Sequence, residues 1–442
     1  MNKSELKLFL RSKNKGLILA PGYRLSLKDS FKNLCLVSPT GSGKTTRFVV
    51  GNILQCSDNV VVTDPSGELF KLTSGHMQKR GYKVQVLAPD DPDHSARFNP
   101  LHRFQSDQEL KQVATTLGLN SAGKGDAFWI TSAINIMFIC LTALSNMKND
   151  SVKNLANLRW MLNNYGVDGE NIKKFMSNYL DEKGFAEYKA FCAQDSKVIA
   201  SILSSARAAL DLWSDPEIGR LTATDNIDLE SLRDGKTIIY IIIPEHKIKY
   251  FSLVANLFYS ACFEFCMKTP GQPVFFFLDE FGNLGKINNF EGISTVLRKK
   301  ECSLNVILQE LSQLEAIYGK HAAKAIYSGG CANKLFYSGL DLETCQYIEK
   351  SLGTITKYDT TFGGFPAMDK RAQTIASPLL SADKIRMLSK NEGILLSGSE
   401  LPVKIKMPAF FQYKPWLKLS QTKPVKLDYD YSGEKVEFID LH

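Results

Sequence analysis

Asn33-Leu34-Cys35-Leu36-Val37-Ser38-Pro39-Thr40-Gly41-Ser42-Gly43-Lys44-Thr45-Thr46-Arg47-Phe48 decides the fold. Its first part reads as a buried strand, because Leu34 to Val37 are apolar throughout instead of alternating. A glycine-rich loop follows, ending in Lys44-Thr45, and an apolar helix starts at Phe48. Strand, loop, Lys-Thr and helix in that order form a phosphate-binding loop. The glycines let backbone N–H groups turn inward, Lys44 reaches the outer phosphates, and the Thr45 hydroxyl holds Mg²⁺ at the positive end of a helix. Thr40, Gly41, Ser42, Gly43, Lys44, Thr45 and Thr46 are therefore the expected nucleotide-binding residues, with ATP and Mg²⁺ as ligands. Ser38 stands where the motif has its first glycine. A flexible glycine-serine linker would explain the composition but neither the strand before it nor the helix after it.

Such a loop needs a carboxylate at the end of a neighbouring strand. Val274-Phe275-Phe276-Phe277-Leu278-Asp279-Glu280 supplies one. Asp279 is expected to bind Mg²⁺ through its water shell, and Glu280 to polarise the water that attacks the γ-phosphate. An apolar strand ending in two acids means little alone; joined to the loop it points to hydrolysis. Gln309, ending the strand Asn305-Val306-Ile307-Leu308, is placed to sense the γ-phosphate or hold the water, the alternative being a polar strand end. Spacing alone reads Arg298, in Val296-Leu297-Arg298-Lys299-Lys300, as a solvated basic helix end; an arginine finger reaching a neighbouring subunit's nucleotide is the functional alternative.

Further strand-like runs occur at Asn59 to Thr63, Lys83 to Leu87, Thr237 to Ile243, Leu304 to Leu308 and Lys334 to Tyr337. Helical segments lie between most of them, which predicts an α/β fold with a mainly parallel sheet covered on both faces. From Asp107 to Leu221 no comparable strand run occurs, so an inserted all-helical domain is expected there. The expected division is a nucleotide-binding domain from 1–106 and 222–415, a helical domain at 107–221, and a C-terminal tail or surface-lying arm at 416–442.

Hydrophobic residues make up 44% and charged residues 23% of the 442 residues, which excludes a disordered chain and allows a sizeable core. The net charge of +8 favours a polyanion without demanding one. The nine cysteines include no C-x-x-C pair, so neither a zinc ribbon nor a disulfide framework is expected. Cys262 and Cys266 have the spacing of one helix face. The apolar runs read as strand-sized, against the roughly 20 residues a spanning helix needs. Met1 to Lys15 lacks the features of a signal peptide.

With these pieces in place the sequence resembles the type IV secretion coupling proteins, the TraG/TraD-type ATPases of conjugation. Asp64-Pro65-Ser66-Gly67-Glu68 is similar to the family's Asp-Pro-Lys-Gly-Glu segment, with Ser66 replacing the usual lysine. Arg97-Phe98-Asn99-Pro100-Leu101, Phe128-Trp129, Gln309 to Glu315, Tyr318-Gly319, Asn333 to Phe336, Ser338 to Asp341, Ser377 to Leu380 and Pro402-Val403 extend the likeness over roughly Cys35 to Phe411.

The resemblance implies a RecA-like nucleotide domain carrying a helical domain, and a homo-hexamer with sites between subunits. It gives Arg298 a trans-acting role. The helical insertion would receive a relaxase-DNA complex or protein effectors, and the pore would contact single- or double-stranded DNA without reading sequence. Many relatives begin with membrane-spanning helices, whereas this sequence starts almost at the first strand. Two expectations follow: a peripheral protein on the cytoplasmic side of the membrane, docking on a membrane-anchor protein and on channel components, or a chain whose upstream piece is missing; the active form is a homo-hexamer and the isolated chain a monomer. A soluble DNA translocase of the segregation or packaging kind is the alternative; the helical insertion and the Gln309 to Gly319 segment favour the first reading. A cargo adaptor with a vestigial site is opposed by Lys44, Thr45, Asp279 and Glu280.

Overall fold

The computed structural model describes residues 9–11, 13–121, 127–165, 169–359 and 373–441. The signal-peptide reading of Met1 to Lys15 lies largely outside them. The strands are β1 (Ile18–Ala20), β2 (Tyr23–Arg24), β3 (Leu34–Val37), β4 (Asn59–Asp64), β5 (Lys83–Leu87), β6 (Thr237–Ile242) and β7 (Val274–Leu278). They continue with β8 (Cys302–Leu308), β9 (Asn333–Tyr337), β10 (Thr354–Asp359), β11 (Gln373–Pro378), β12 (Glu392–Ser397) and β13 (Val403–Lys406). The chain forms two compact units, residues 1–55 with 305–417 and residues 56–304 with 418–442.

In the first unit the strand order is β13-β12-β9-β3-β8. β3 runs parallel to both β8 and β9, with Val37 opposite Leu308 on one side and Phe336 on the other. Leu34 to Val37 are fully buried, as a strand covered on both faces must be. β12 and β13 turn antiparallel at the edge. They escape the sequence reading because β13 alternates buried Val403 and Ile405 with exposed Lys404 and Lys406, a half-covered pattern unlike the continuous apolar runs. β1–β2 and β10–β11 form small separate hairpins.

In the second unit the order is β7-β4-β6-β5, all parallel. The β-branched run Asn59–Asp64 is buried at every position, and so is Val274–Leu278. From Asp107 to Leu221 the described residues contain helices and no strand. Asn154, Asp181, Asp195 and Asp215 each accept a backbone N–H at a helix start, which explains why the segment breaks into short helices. Cys262 and Cys266 lie buried on the helix Ile248–Lys268.

Two helices are longer than the strand-sized apolar runs. Ala127–Ser145 and Glu245–Lys268 are long and apolar enough to span a membrane by length and composition, and 50% and 72% of their apolar windows are buried inside the protein. Polar residues such as Thr131, Ser132, Asn135 and Asn256 interrupt their apolar stretches.

The stretch read as a tail or arm is tied down. In the first unit the Trp416 ring is 1% exposed, and it lies where a side chain on Gly51 would have to go, 2.7 Å from an added Cβ. In the second unit the chain after Lys418 lies across several elements. Glu434 pairs with Arg97 at 2.7 Å, the Tyr431 ring stacks 4.3 Å from the same guanidinium, and the Ile439 amide donates to Asn157 at 2.9 Å. Arg97 is fully buried, and its Nη1 also donates to the Pro92 carbonyl at 3.0 Å. Replacing Glu434 by Ala should therefore destabilise this unit by about 2 kcal/mol, since a hydrogen bond to a buried charge is lost, whereas Glu434→Gln keeps an acceptor. Urea unfolding followed by tryptophan fluorescence checks this; equal midpoints for Glu434→Ala and the parent would show the pair contributes nothing.

Glu109, near the start of the helix Asp107–Ser121, accepts the Ser106 amide at 2.9 Å and hydroxyl at 2.7 Å and pairs with Lys268. Burial raises its pKa, but Lys268 and the Ser106 groups outweigh it and hold the carboxyl at about 2, below its ordinary 4.5. A depressed folded value means the contribution is complete above pH 4.5 and disappears as pH falls towards 2. Acid titration of stability should be shallower over that window in Glu109→Gln.

Candidate nucleotide site

The loop Ser38 to Thr45 leaves the carboxyl end of β3, and the Ser38 amide donates to the Leu308 carbonyl of β8 at 3.0 Å. This bond brings the loop beside Gln309, the next residue of the β8 chain. Gly41 and Gly43 have φ of +73° and +87°, conformations that side chains resist, and a Cβ on Gly41 would point into open space. A loop held this way by glycines is the kind whose free backbone N–H groups can take up a phosphate chain. Ser38 has no positive φ, so the motif's missing first glycine is not needed here; its hydroxyl bonds to that of Ser42, which also donates to the Pro39 carbonyl at 2.5 Å. Lys44 is 8% exposed. The first turn after it is widened, with the Val50 amide bonded to the Thr45 carbonyl, a local distortion frequent at functional sites.

Arg47 escapes the sequence reading. Its Nε donates to the Ser42 carbonyl at 3.1 Å and its Nη1 to the Met407 carbonyl at 2.8 Å, so it braces the loop against the segment after β13. No local signal reveals this, because the second partner lies 360 residues away in the chain. Thr40 is exposed; Thr45, Thr46 and Gln309 are half-buried. The Gln309 amide donates to the Gln313 side chain at 3.0 Å.

In the second unit Asp279 and Glu280 follow the carboxyl end of β7, at 2% and 7% exposure. Glu280 adopts a left-handed backbone with φ 53° and ψ 39°, and its amide donates to Asp279 Oδ1 at 3.0 Å. A non-glycine residue held there costs on the order of 1–2 kcal/mol, strain of a kind that collects at active sites. Asp64 ends the neighbouring strand β4 and is completely buried. Burial raises its pKa, opposed by backbone N–H groups of the next helix, among them Phe70 at 2.8 Å. The Asp-Pro-Ser-Gly-Glu segment is thus a helix start capped by Asp64, and Ser66 is exposed. Arg298 lies in the last turn of the helix Phe290–Lys299 and is exposed, next to the buried Leu297.

The profile of the family described as Type IV secretory system Conjugative DNA transfer matches residues 4–432. The protein VirD4 of Agrobacterium fabrum is 24% identical over 396 residues, covering 85% of this chain and 58% of the relative. The conjugal transfer protein TraG of Escherichia coli is 25% identical over 391 residues, covering 78% of this chain and 60% of the relative. The chain thus spans about three fifths of the length of these relatives. Among solved structures, the bacterial conjugative coupling protein TrwBdeltaN70 in complex with sulphate gives a TM-score of 0.75 at 17% identity, covering 97% of this chain and 95% of that chain. The plasmid coupling protein TrwB in complex with ADP and Mg²⁺ gives 0.73 at 18%, covering 92% and 93%. At these identities the likeness carries the fold alone, an α/β architecture with a mainly parallel sheet and a helical segment. With its sequence matched over nearly its full length, the chain belongs to the type IV secretory system conjugative DNA transfer family.

Proposed function

We propose that this chain is an ATP-hydrolysing coupling protein, which receives a relaxase-DNA complex or protein effectors and drives them towards a type IV secretion channel. What supports the reading is the loop at the end of β3, with Gly41 and Gly43 at positive φ, Lys44 buried, and the Ser38 amide bonded to Leu308, the residue before Gln309. ATP with Mg²⁺, when bound, supplies the transferable phosphoryl group and neutralises its charge. Lys44 and the loop amides hold the phosphates, Thr45 and Asp279 hold the metal, Glu280 takes the proton of the attacking water, and Gln309 orients that water. That TrwB has been solved with ADP and Mg²⁺ supports the same ligands here.

Arg298 acts in trans on a neighbour's nucleotide in a homo-hexamer, a role its exposed position permits. The helical segment 107–221 receives cargo, and the ring contacts DNA through charge and backbone, in keeping with a net charge of +8. It works at the inner face of the cytoplasmic membrane through an anchor protein and channel components. The nucleotide assignment is tested by titrating a fluorescent ATP analogue: Lys44→Ala should weaken binding about tenfold or more, the loss of one charge-assisted hydrogen bond. Unchanged affinity would remove Lys44, and with it the loop, from the site.

A further inference from the structure

We infer that Asn120 is a positioning residue that couples the helical segment to Glu280. This inference rests on the role proposed above for Glu280, and it identifies how the state of the cargo-receiving helices reaches the hydrolytic centre.

Asn120 stands at the end of the helix Asp107–Ser121, and every hydrogen-bonding group of its amide is engaged. Its Nδ2 donates to the Thr116 carbonyl of its own helix at 3.0 Å and to the Lys286 carbonyl at 3.0 Å, while Oδ1 accepts the Lys286 amide at 2.8 Å. A side-chain amide bonded on both sides to one residue's backbone is fixed in orientation and acts as a two-point clasp. Gly285 permits it. That residue has a φ of +76°, and an added Cβ would lie 2.6 Å from Asn120 Oδ1.

The clasped residue is a short, stiff span from Glu280. The Asn283 amide donates to the Glu280 carbonyl at 2.8 Å and the Leu284 amide to the Phe281 carbonyl at 3.2 Å, closing a 3-10 turn directly after Glu280. Phe281, Leu284 and Ile287 are fully buried, and the Phe281 ring packs 4.7 Å from that of Phe290. Asn256, on the helix Ile248–Lys268, adds a bond to the Leu284 carbonyl at 3.4 Å. A displacement of helix Asp107–Ser121 is therefore passed through Lys286 to the turn after Glu280, whose backbone is already held in an unfavourable conformation. The far end of the same helix is fixed through Glu109 to Lys268, so it can tilt about that end and pull at Asn120. Coupling of this kind is reciprocal: nucleotide held at Glu280 must change the helix as much as the helix changes Glu280.

Amide hydrogen exchange tests this in two arms. Without nucleotide, Asn120→Ala should speed exchange of the Asn283, Leu284 and Lys286 amides about five- to tenfold, while β4 and β6 keep their protection. With MgATP, in a Glu280→Gln background that retains it, exchange in residues 107–120 should change. The added Asn120→Ala should abolish that response while ATP affinity, read on the same samples, stays within about twofold. An unchanged nucleotide response without Asn120, or no response with it, overturns the coupling. Failure of the Glu280→Gln protein to bind ATP would instead sink the nucleotide-site reading, and the first arm would still decide whether the clasp exists. Should Asn120→Ala fold poorly, Asn120→Asp keeps the acceptor for the Lys286 amide and loses the donor, and should give a partial loss of the response; a full response from it also overturns the inference.

Discussion

Glu280→Gln is expected to lower ATP turnover by about 10²–10⁴-fold while leaving ATP bound, because the carboxylate that takes the water's proton is lost and the metal-holding Asp279 remains. Size and shape of the side chain are conserved, so the left-handed backbone at φ 53° and the buried setting of the residue persist. Single-turnover hydrolysis beside an equilibrium binding measurement separates the two quantities. Lost binding would mean that Glu280 shapes the pocket instead of acting on water, and unchanged turnover would remove it from the chemistry altogether.

Arg298→Ala should cost roughly 10³-fold or more in turnover, the scale of an arginine finger, but only where subunits meet. Its side chain is exposed at the end of the helix Phe290–Lys299, and neighbouring Lys299 would sustain the helix terminus after the substitution. The defect should therefore grow with protein concentration as the parent assembles and the variant gains nothing. Mixing the variant with Glu280→Gln protein offers a sharper comparison, because a ring interface combining one intact arginine with one intact glutamate regains activity if the finger acts in trans. An equal loss in dilute monomer would refute that role.

The strands and the loop that frame the proposed nucleotide site were legible in the sequence because each is local. Strand, glycine-rich loop and Lys44-Thr45 occupy one short stretch, and Asp279-Glu280 closes a run of buried apolar residues whose boundaries, Val274 and Leu278, match the strand. The helical stretch from Asp107 was legible from missing strand runs, and its Asn and Asp caps offered a finer signal that went unread. Long-range side-chain bonds left no such trace. Arg47 meets Met407 across 360 residues and Asn120 meets Lys286 across 166, so neither role follows from spacing. The anchors of the C-terminal stretch, expected as a tail or a surface-lying arm, were hidden for a related reason: its alternating charges look solvated until Arg97, buried in the second unit, is seen to meet Glu434. The β13 edge strand was hidden by half-burial, its lysines facing outward.

The most direct test of the account is ATP hydrolysis by the purified chain with Mg²⁺, with and without single-stranded and double-stranded DNA, beside Lys44→Ala. Mg²⁺-dependent hydrolysis that DNA stimulates and that Lys44→Ala abolishes is expected of an ATP-driven coupling protein; turnover by Lys44→Ala equal to the parent's, or no hydrolysis under any of these conditions, would contradict that function.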